Sequence, residues 1–267
     1  MEIIREFFGI GGYTRPPEGA YSWQHLTFVG LLLVTMTALG VWLGRRNRTR
    51  DTRAQNRVMV WAAVLIDGFE LIKIALACYE KHLSGDAPWY DGILYNLPLF
   101  LCSIQLITIP LAAFTKGRLQ EASADFVAAF GLLGAVLGTV GAAQNYNAYP
   151  VLSFTNVVSG VTHCISGFAA LYLFCAGMVK LEKRNIPITF GVLGGFCAVA
   201  YGVNLLADYN YMFLMAGDGT PYDILYNLVG GSPLWYPLCV AALLFVYLGV
   251  FYIVRGAIMK KKEKVTV

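Results

Sequence analysis

Seven stretches of this chain stay apolar for about the 20 residues that a helix needs to cross roughly 30 Å of hydrocarbon. They run from Ser22 to Leu43, Val58 to Tyr79, Ile93 to Phe114, Ala122 to Ala143, Ser153 to Val179, Pro187 to Ala207 and Pro233 to Val254. Few folds accept such runs. A water-soluble core would not absorb them, because 57% of the 267 residues are hydrophobic and only 13% are charged. They do not alternate with period two, as the strands of an outer-membrane barrel do. In hydrocarbon every backbone N–H and C=O must find an internal partner, so continuous apolar runs become helices. The expected fold class is therefore all-α: a polytopic membrane protein with seven transmembrane helices in a single transmembrane domain spanning residues 1–267.

The basic residues orient the bundle. Arg45, Arg46, Arg48, Arg50, Arg53 and Arg57 follow the first segment, and Lys116 and Arg118 follow the third. Lys180, Lys183 and Arg184 follow the fifth, and Arg255, Lys260, Lys261, Lys262 and Lys264 form a basic tail over residues 255–267. All of these fall on one side, against Arg5, Arg15 and Lys81 on the other, with Lys73 inside the second segment. The positive-inside rule then puts the N-terminus outside and the C-terminus in the cytoplasm. The net charge of +4 is accounted for by topology, so no nucleic-acid partner is expected. The Lys-rich tail is expected to rest on anionic lipids of the inner leaflet. Residues 1–20 lack the basic and apolar regions of a cleavable signal and suit a short interfacial helix.

An internal repeat is visible. Tyr90-Asp91-Gly92-Ile93-Leu94-Tyr95-Asn96-Leu97 precedes the third segment, and Tyr222-Asp223-Ile224-Leu225-Tyr226-Asn227-Leu228 precedes the seventh. If the two mark equivalent places, segments 1–3 correspond to 5–7 with segment 4 as linker, a 3+1+3 parallel repeat in which His25 and His163 fall near equivalent positions. Ligand sites in such architectures lie between the halves.

Ionisable side chains held in hydrocarbon are functional-site candidates because burying them unpaired is costly. At 1.5 Å rise per residue, Cys102, His163 and Glu70 each lie roughly 13 to 15 Å below the outer helix ends. His25, Asn204 and Asp208 approach the same mouth. Asn156, Ser159, His163 and Ser166 form a polar stripe on the fifth helix, and Pro98, Cys102 and Gln105 share a face of the third, where Pro98 should free the carbonyl of Leu94. Each has a structural reading beside the functional one. A membrane cysteine is most often a small hydrophobe, a histidine can simply bond across helices, and Glu70 can pair with Lys73 one turn away. Together, however, Cys102 and His163 suit nucleophile and general base, with Glu70 or an Asn as orienter. The thiolate would attack an ester carbonyl to give an acyl-cysteine. Two alternatives stand beside this: a small-solute transporter or binding protein with a polar pocket between the repeats, and a metal-dependent hydrolase using His25, Glu70 and His163. For the favoured chemistry no metal and no cofactor are expected.

Leu97-Pro98-Leu99-Phe100-Leu101-Cys102-Ser103-Ile104 resembles the Leu-Pro-Leu-x-Leu-Cys-x-Ile signature of the YwaF-type bacterial integral membrane proteins, a family related to the eukaryotic transmembrane protein 164. His25, Glu70, His163, the Asp208–Leu214 stretch and Pro233-Leu234-Trp235-Tyr236 extend the resemblance over most of the chain. It implies a phospholipid acyltransferase with Cys102 as nucleophile and His163 as base, acting on a membrane phospholipid or lysophospholipid. His25, Glu70, Gln105, Asn156, Asn204 and Asp208 are then supporting or substrate-binding candidates. The implied location is the bacterial cytoplasmic membrane.

Overall fold

A computed structural model of the chain describes residues 2–85, 87–179 and 181–265, the side chains of Glu2 and of residues 258–265 excepted. Lys180 and the side chains of Lys260, Lys261, Lys262 and Lys264 therefore lie outside the described residues. The chain is helical, with no strand among the described residues. In order the helices are α1 (Glu2–Phe8), α2 (Trp23–Asn47), α3 (Thr52–Ser84), α4 (Asp91–Leu94), α5 (Gln105–Phe114), α6 (Gly117–Leu137), α7 (Ala143–Ala148), α8 (Phe154–Ala176), α9 (Ile186–Ala207), α10 (Asp223–Leu228) and α11 (Trp235–Val265). Short polar caps set several boundaries. Ser22, Asp51 and Ser153 accept hydrogen bonds from the first-turn N–H groups of α2, α3 and α8. Gly85 and Gly177 end α3 and α8 in the left-handed conformation, which a residue without Cβ adopts freely.

Among the described residues, five helical stretches are long and apolar enough to cross a membrane: Trp23–Asn47, Gly117–Leu137, Phe154–Ala176, Lys183–Ala207 and Trp235–Ala257. The other two expected segments differ. The second is contained in α3, which has the length at 33 residues but carries Asp67, Glu70 and Lys73 in its middle. The third is broken where a continuous helix over 93–114 was expected: α4 stops at Leu94, residues 95–104 run in successive turns, and helix resumes for the 10 residues of α5. Pro98 supplies the reason, since it has no N–H to donate and disfavours helical backbone at Leu97. Asn96 closes the end of α4 by donating its side-chain amide to the Gly92 carbonyl at 2.8 Å. The carbonyl of Leu94, expected to be free, accepts the hydroxyl of Tyr211. Irregular backbone at membrane depth is tolerated only where protein covers it, and Leu99 and Ile104 are accordingly buried.

The bundle is organised around α6, which is buried on all sides from Ala122 to Gly131. Helices α5, α8 and α9 pack directly on it, α2 packs on α8, α3 lies against α5 and α8, and α11 covers α9. Two apolar cores result. One joins α3, α5, α6 and α8 through Met59, Ile109, Val127 and Tyr172. The other joins α6, α9 and α11 to the 208–214 loop through Phe126, Leu193, Tyr211 and Leu248. Close approach depends on glycine at Gly44 and Gly131, where a Cβ would overlap Cys175 and the Ser166 carbonyl of α8. Both copies of the repeated sequence form a short helix, with Tyr90 and Tyr222 at corresponding positions just before α4 and α10. Beyond those helices the two diverge, for α10 leads through Gly230-Gly231 into an unbroken α11.

Candidate functional site

The break in the third segment places Cys102 outside any regular helix, in the turns that lead into α5. Its carbonyl accepts the Gln105 N–H at 3.3 Å, so its backbone leads directly into the N-terminal end of α5. The rough depth deduced from an unbroken helix does not apply there, yet the chain still brings Cys102 to His163 of α8. The two side chains are close enough to interact, and Ser103 is within reach of the sulfur as well. As residues, Cys102 and His163 are both of intermediate burial.

The tautomer of His163 follows from its other contact. Its Nδ1 lies 2.7 Å from the Ser159 carbonyl, which can only accept, so Nδ1 carries the proton and donates it there. Nε2 is left as the acceptor for the thiol. The orienting group is thus a backbone carbonyl one turn back on α8, with the Ser159 hydroxyl 3.5 Å away, and not Glu70 or an asparagine side chain. Fixing the imidazole through its second nitrogen is the usual way a protein sets which nitrogen is basic.

Two glycines of α6 shape the seat. An added Cβ at Gly138 would overlap the His163 imidazole, whereas one at Gly134 would meet the Cβ of Cys102 at an ordinary 3.7 Å. Gly134 and Gly138 lie one turn apart, and this spacing lets the thiol and the imidazole rest side by side on one helix face. Above them is an aromatic cap. Phe100 packs 5.3 Å from Tyr211 and 5.9 Å from Phe213, and Phe213 stacks on Tyr222 at 5.5 Å. Tyr222 is in electrostatic reach of Cys102. The cap loop holds Asp208, Met212, Phe213 and Asp218 at positive φ, a concentration of strained backbone of the kind that accumulates at functional sites.

The remaining candidates separate into two groups. Glu70 pairs with Lys73 at 2.6 Å, and Lys73 is in electrostatic reach of His163, so this ion pair borders the site. Gln105 is fully buried three residues after Cys102, its carbonyl oxygen accepting from Thr108 at 3.1 Å and its Nε2 without a partner among the described residues. The others are engaged elsewhere. His25 accepts the Tyr21 N–H at Nδ1 (2.9 Å), faces the Thr139 carbonyl with Nε2 (3.2 Å) and stacks on Tyr146 at 3.8 Å. Asn156 donates to the carbonyls of Tyr149 and Pro150, Asn204 clasps the backbone of Tyr211, and Asp208 ends α9 in a left-handed turn. His25, Glu70 and His163 do not converge, and no three His, Cys, Asp or Glu side chains form a metal-holding group among the described residues. The sequence reading missed the roles of Gly134, Gly138, Tyr211 and Tyr222. A small-xxx-small pattern in segment 4 was the signal available for the first two.

Fold and site together define a multi-pass helical membrane protein with a cysteine–histidine pair set on its central helix. The TMEM164 family model matches residues 20–252, and the chain belongs to that family. A genome polyprotein of feline calicivirus is 33% identical over 67 residues, which is 25% of this chain and 4% of that one. So short a likeness supports no reading of function. No solved structure matches.

Proposed function

We propose that this protein is a membrane-embedded lipid acyltransferase or ester hydrolase working through an acyl-cysteine on Cys102. The observation that carries the reading is the closeness of Cys102 to a His163 whose Nδ1 contact with the Ser159 carbonyl leaves Nε2 as base. In the first half-reaction Nε2 takes the thiol proton as sulfur attacks the ester carbonyl of a phospholipid. The tetrahedral adduct collapses, the ester oxygen leaves with the proton from Nε2, and the acyl group stays on sulfur as a thioester. In the second, a lysophospholipid hydroxyl gives its proton to Nε2 and attacks the thioester, and the departing sulfur recovers the proton. Water in place of the hydroxyl gives hydrolysis.

Membership of the TMEM164 family and the closeness of Cys102 to His163 support this reading over a solute pocket between two repeats. The pocket would need His25, Asn156 and Asn204; both ring nitrogens of His25, the side-chain amide group of Asn204 and the side-chain N–H of Asn156 are already engaged with backbone. We take α3 and the broken α4–α5 pass as completing seven spans in a 3+1+3 arrangement. The arginine- and lysine-rich ends then face the cytoplasm of a bacterial cell, the N-terminus lies outside, and the Lys-rich tail meets anionic lipid.

The test is reconstitution into liposomes containing a phosphatidylcholine with one labelled acyl chain, with and without a lysophospholipid acceptor. Label should move to the acceptor, or appear as free fatty acid if water is the acceptor, and Cys102→Ala should stop both. Equal label transfer by wild type and Cys102→Ala would overturn the reading.

A further inference from the structure

The arginine-rich end of α2 carries a second feature, remote from the cysteine–histidine pair. A shallow, open groove is formed on one face of α2 by Thr37, Ala38, Val41, Trp42, Arg45 and Arg46. At 100° per residue these six fall on one side of α2. Gly40 and Gly44, whose absent side chains admit Leu171 and Cys175 of α8, fall on the other. The groove therefore faces away from the bundle, into the bilayer. Its composition changes along its length: small and apolar at Thr37, Ala38 and Val41, aromatic at Trp42, cationic at Arg45 and Arg46.

The cations are held ready for an anion. The Arg46 guanidinium lies 5.4 Å from the centroid of the Trp42 ring, a cation–π contact that restricts its position. Neither Arg45 nor Arg46 has a carboxylate partner among the described residues, where ion pairs involve Arg15, Lys73 and Arg184. Asp51, the acid nearest in sequence, is occupied in capping α3 through the Ala54 N–H at 2.8 Å. The turn that follows is also fixed. Gln55 donates to the carbonyls of Asn47 and Ala176, Asn47 donates to the Tyr172 hydroxyl, and that hydroxyl donates to the Gln55 carbonyl. The end of α2 is thus tied to α8 and α3.

We propose that this groove binds one anionic phospholipid of the leaflet at the arginine-rich ends. Its phosphate lies between the Arg45 and Arg46 guanidiniums, Trp42 sits at the level of the glycerol backbone, and one acyl chain follows Val41, Ala38 and Thr37. Guanidinium forks match phosphate oxygens in pairs, and an indole belongs at the boundary between headgroup and chain. Three turns of helix separate Cys175, which meets α2 at Gly44 on the side opposite the groove, from His163, roughly 18 Å along α8. The lipid bound here is therefore a fixed component of the fold and not the substrate of Cys102, and the proposal stands independently of the acyl-transfer reading.

The experiment uses the purified full-length protein in a neutral detergent. Phosphatidylglycerol, phosphatidylcholine with the same chains, and free glycerol phosphate are each titrated, with bound lipid counted by native mass spectrometry. Phosphatidylglycerol should bind roughly thirtyfold more tightly than phosphatidylcholine, as two cations near the surface would provide, and glycerol phosphate should not bind. The double variant Arg45→Gln, Arg46→Gln should lose that preference, whereas neutralising the tail lysines should leave it. Brominated phosphatidylglycerol should quench tryptophan emission in the wild type and much less in Trp42→Phe. The proposal fails if the two lipids bind equally, if the double variant keeps the preference, or if glycerol phosphate binds as well as the lipid.

Discussion

His25 lies in the first turn of α2 and His163 midway along α8, and the protein uses the two histidines in opposite ways. Both nitrogens of His25 are spent on backbone: Nδ1 accepts from Tyr21, and Nε2, which must then carry the proton, donates to the Thr139 carbonyl. Its ring is fully buried and stacked on Tyr146, so it fastens α2 to the end of α6. His163 spends one nitrogen in the same manner, on the Ser159 carbonyl, and keeps the other against a thiol. One free nitrogen, with its acidic neighbour, separates a structural histidine from a prospective base. The residue type does not.

That contrast can be broken most severely at the pair itself. Cys102→Ala and His163→Gln should each lower acyl transfer on the order of 10³-fold or more. The two combined should be no worse, because they remove one unit, and the melting temperature of each purified variant should stay close to wild type. Next comes Gly138→Ala, whose new Cβ displaces the imidazole. Misplacement of about 1 Å costs roughly 10²-fold, so a rate assay should show a large loss in a protein of unchanged helicity. The reciprocal test is His25→Gln, which should cost about 2 kcal/mol of stability by thermal denaturation while the rate per folded molecule persists. If His25→Gln instead lost activity at full stability, the distinction between the two histidines would collapse. The smallest effect belongs to Gly134→Ala, where the added methyl meets Cys102 at van der Waals distance. Activity should change by less than about twofold, consistent with ordinary packing.

Segments 1, 4, 5, 6 and 7 were legible as helices because an uninterrupted apolar run in hydrocarbon has no other way to satisfy its backbone. The 95–104 break was not legible, because Pro98 alone does not say whether a helix kinks or stops. The outcome rests on Asn96 and on Tyr211, a residue 117 positions away whose hydroxyl takes the Leu94 carbonyl. The same holds for the site. Matching depths suggested that Cys102 and His163 meet, whereas the orienter came out as a main-chain carbonyl, a group that side-chain patterns cannot reveal. His25, Asn156 and Asn204 stood out as polar residues in apolar surroundings. They proved to serve loops and helix ends, where burial of unpaired backbone groups creates the demand for them.

Trapping the acyl-enzyme tests the central claim most directly. Purified protein is incubated with an activated acyl ester, quenched in acid and analysed by peptide mass spectrometry. The account predicts a single acyl adduct on Cys102, released by neutral hydroxylamine as a thioester must be, formed at the wild-type rate in His25→Gln and far more slowly in His163→Gln. An adduct that forms on Cys102 equally fast without His163, or no adduct on Cys102 in protein that turns over lipid, would contradict it.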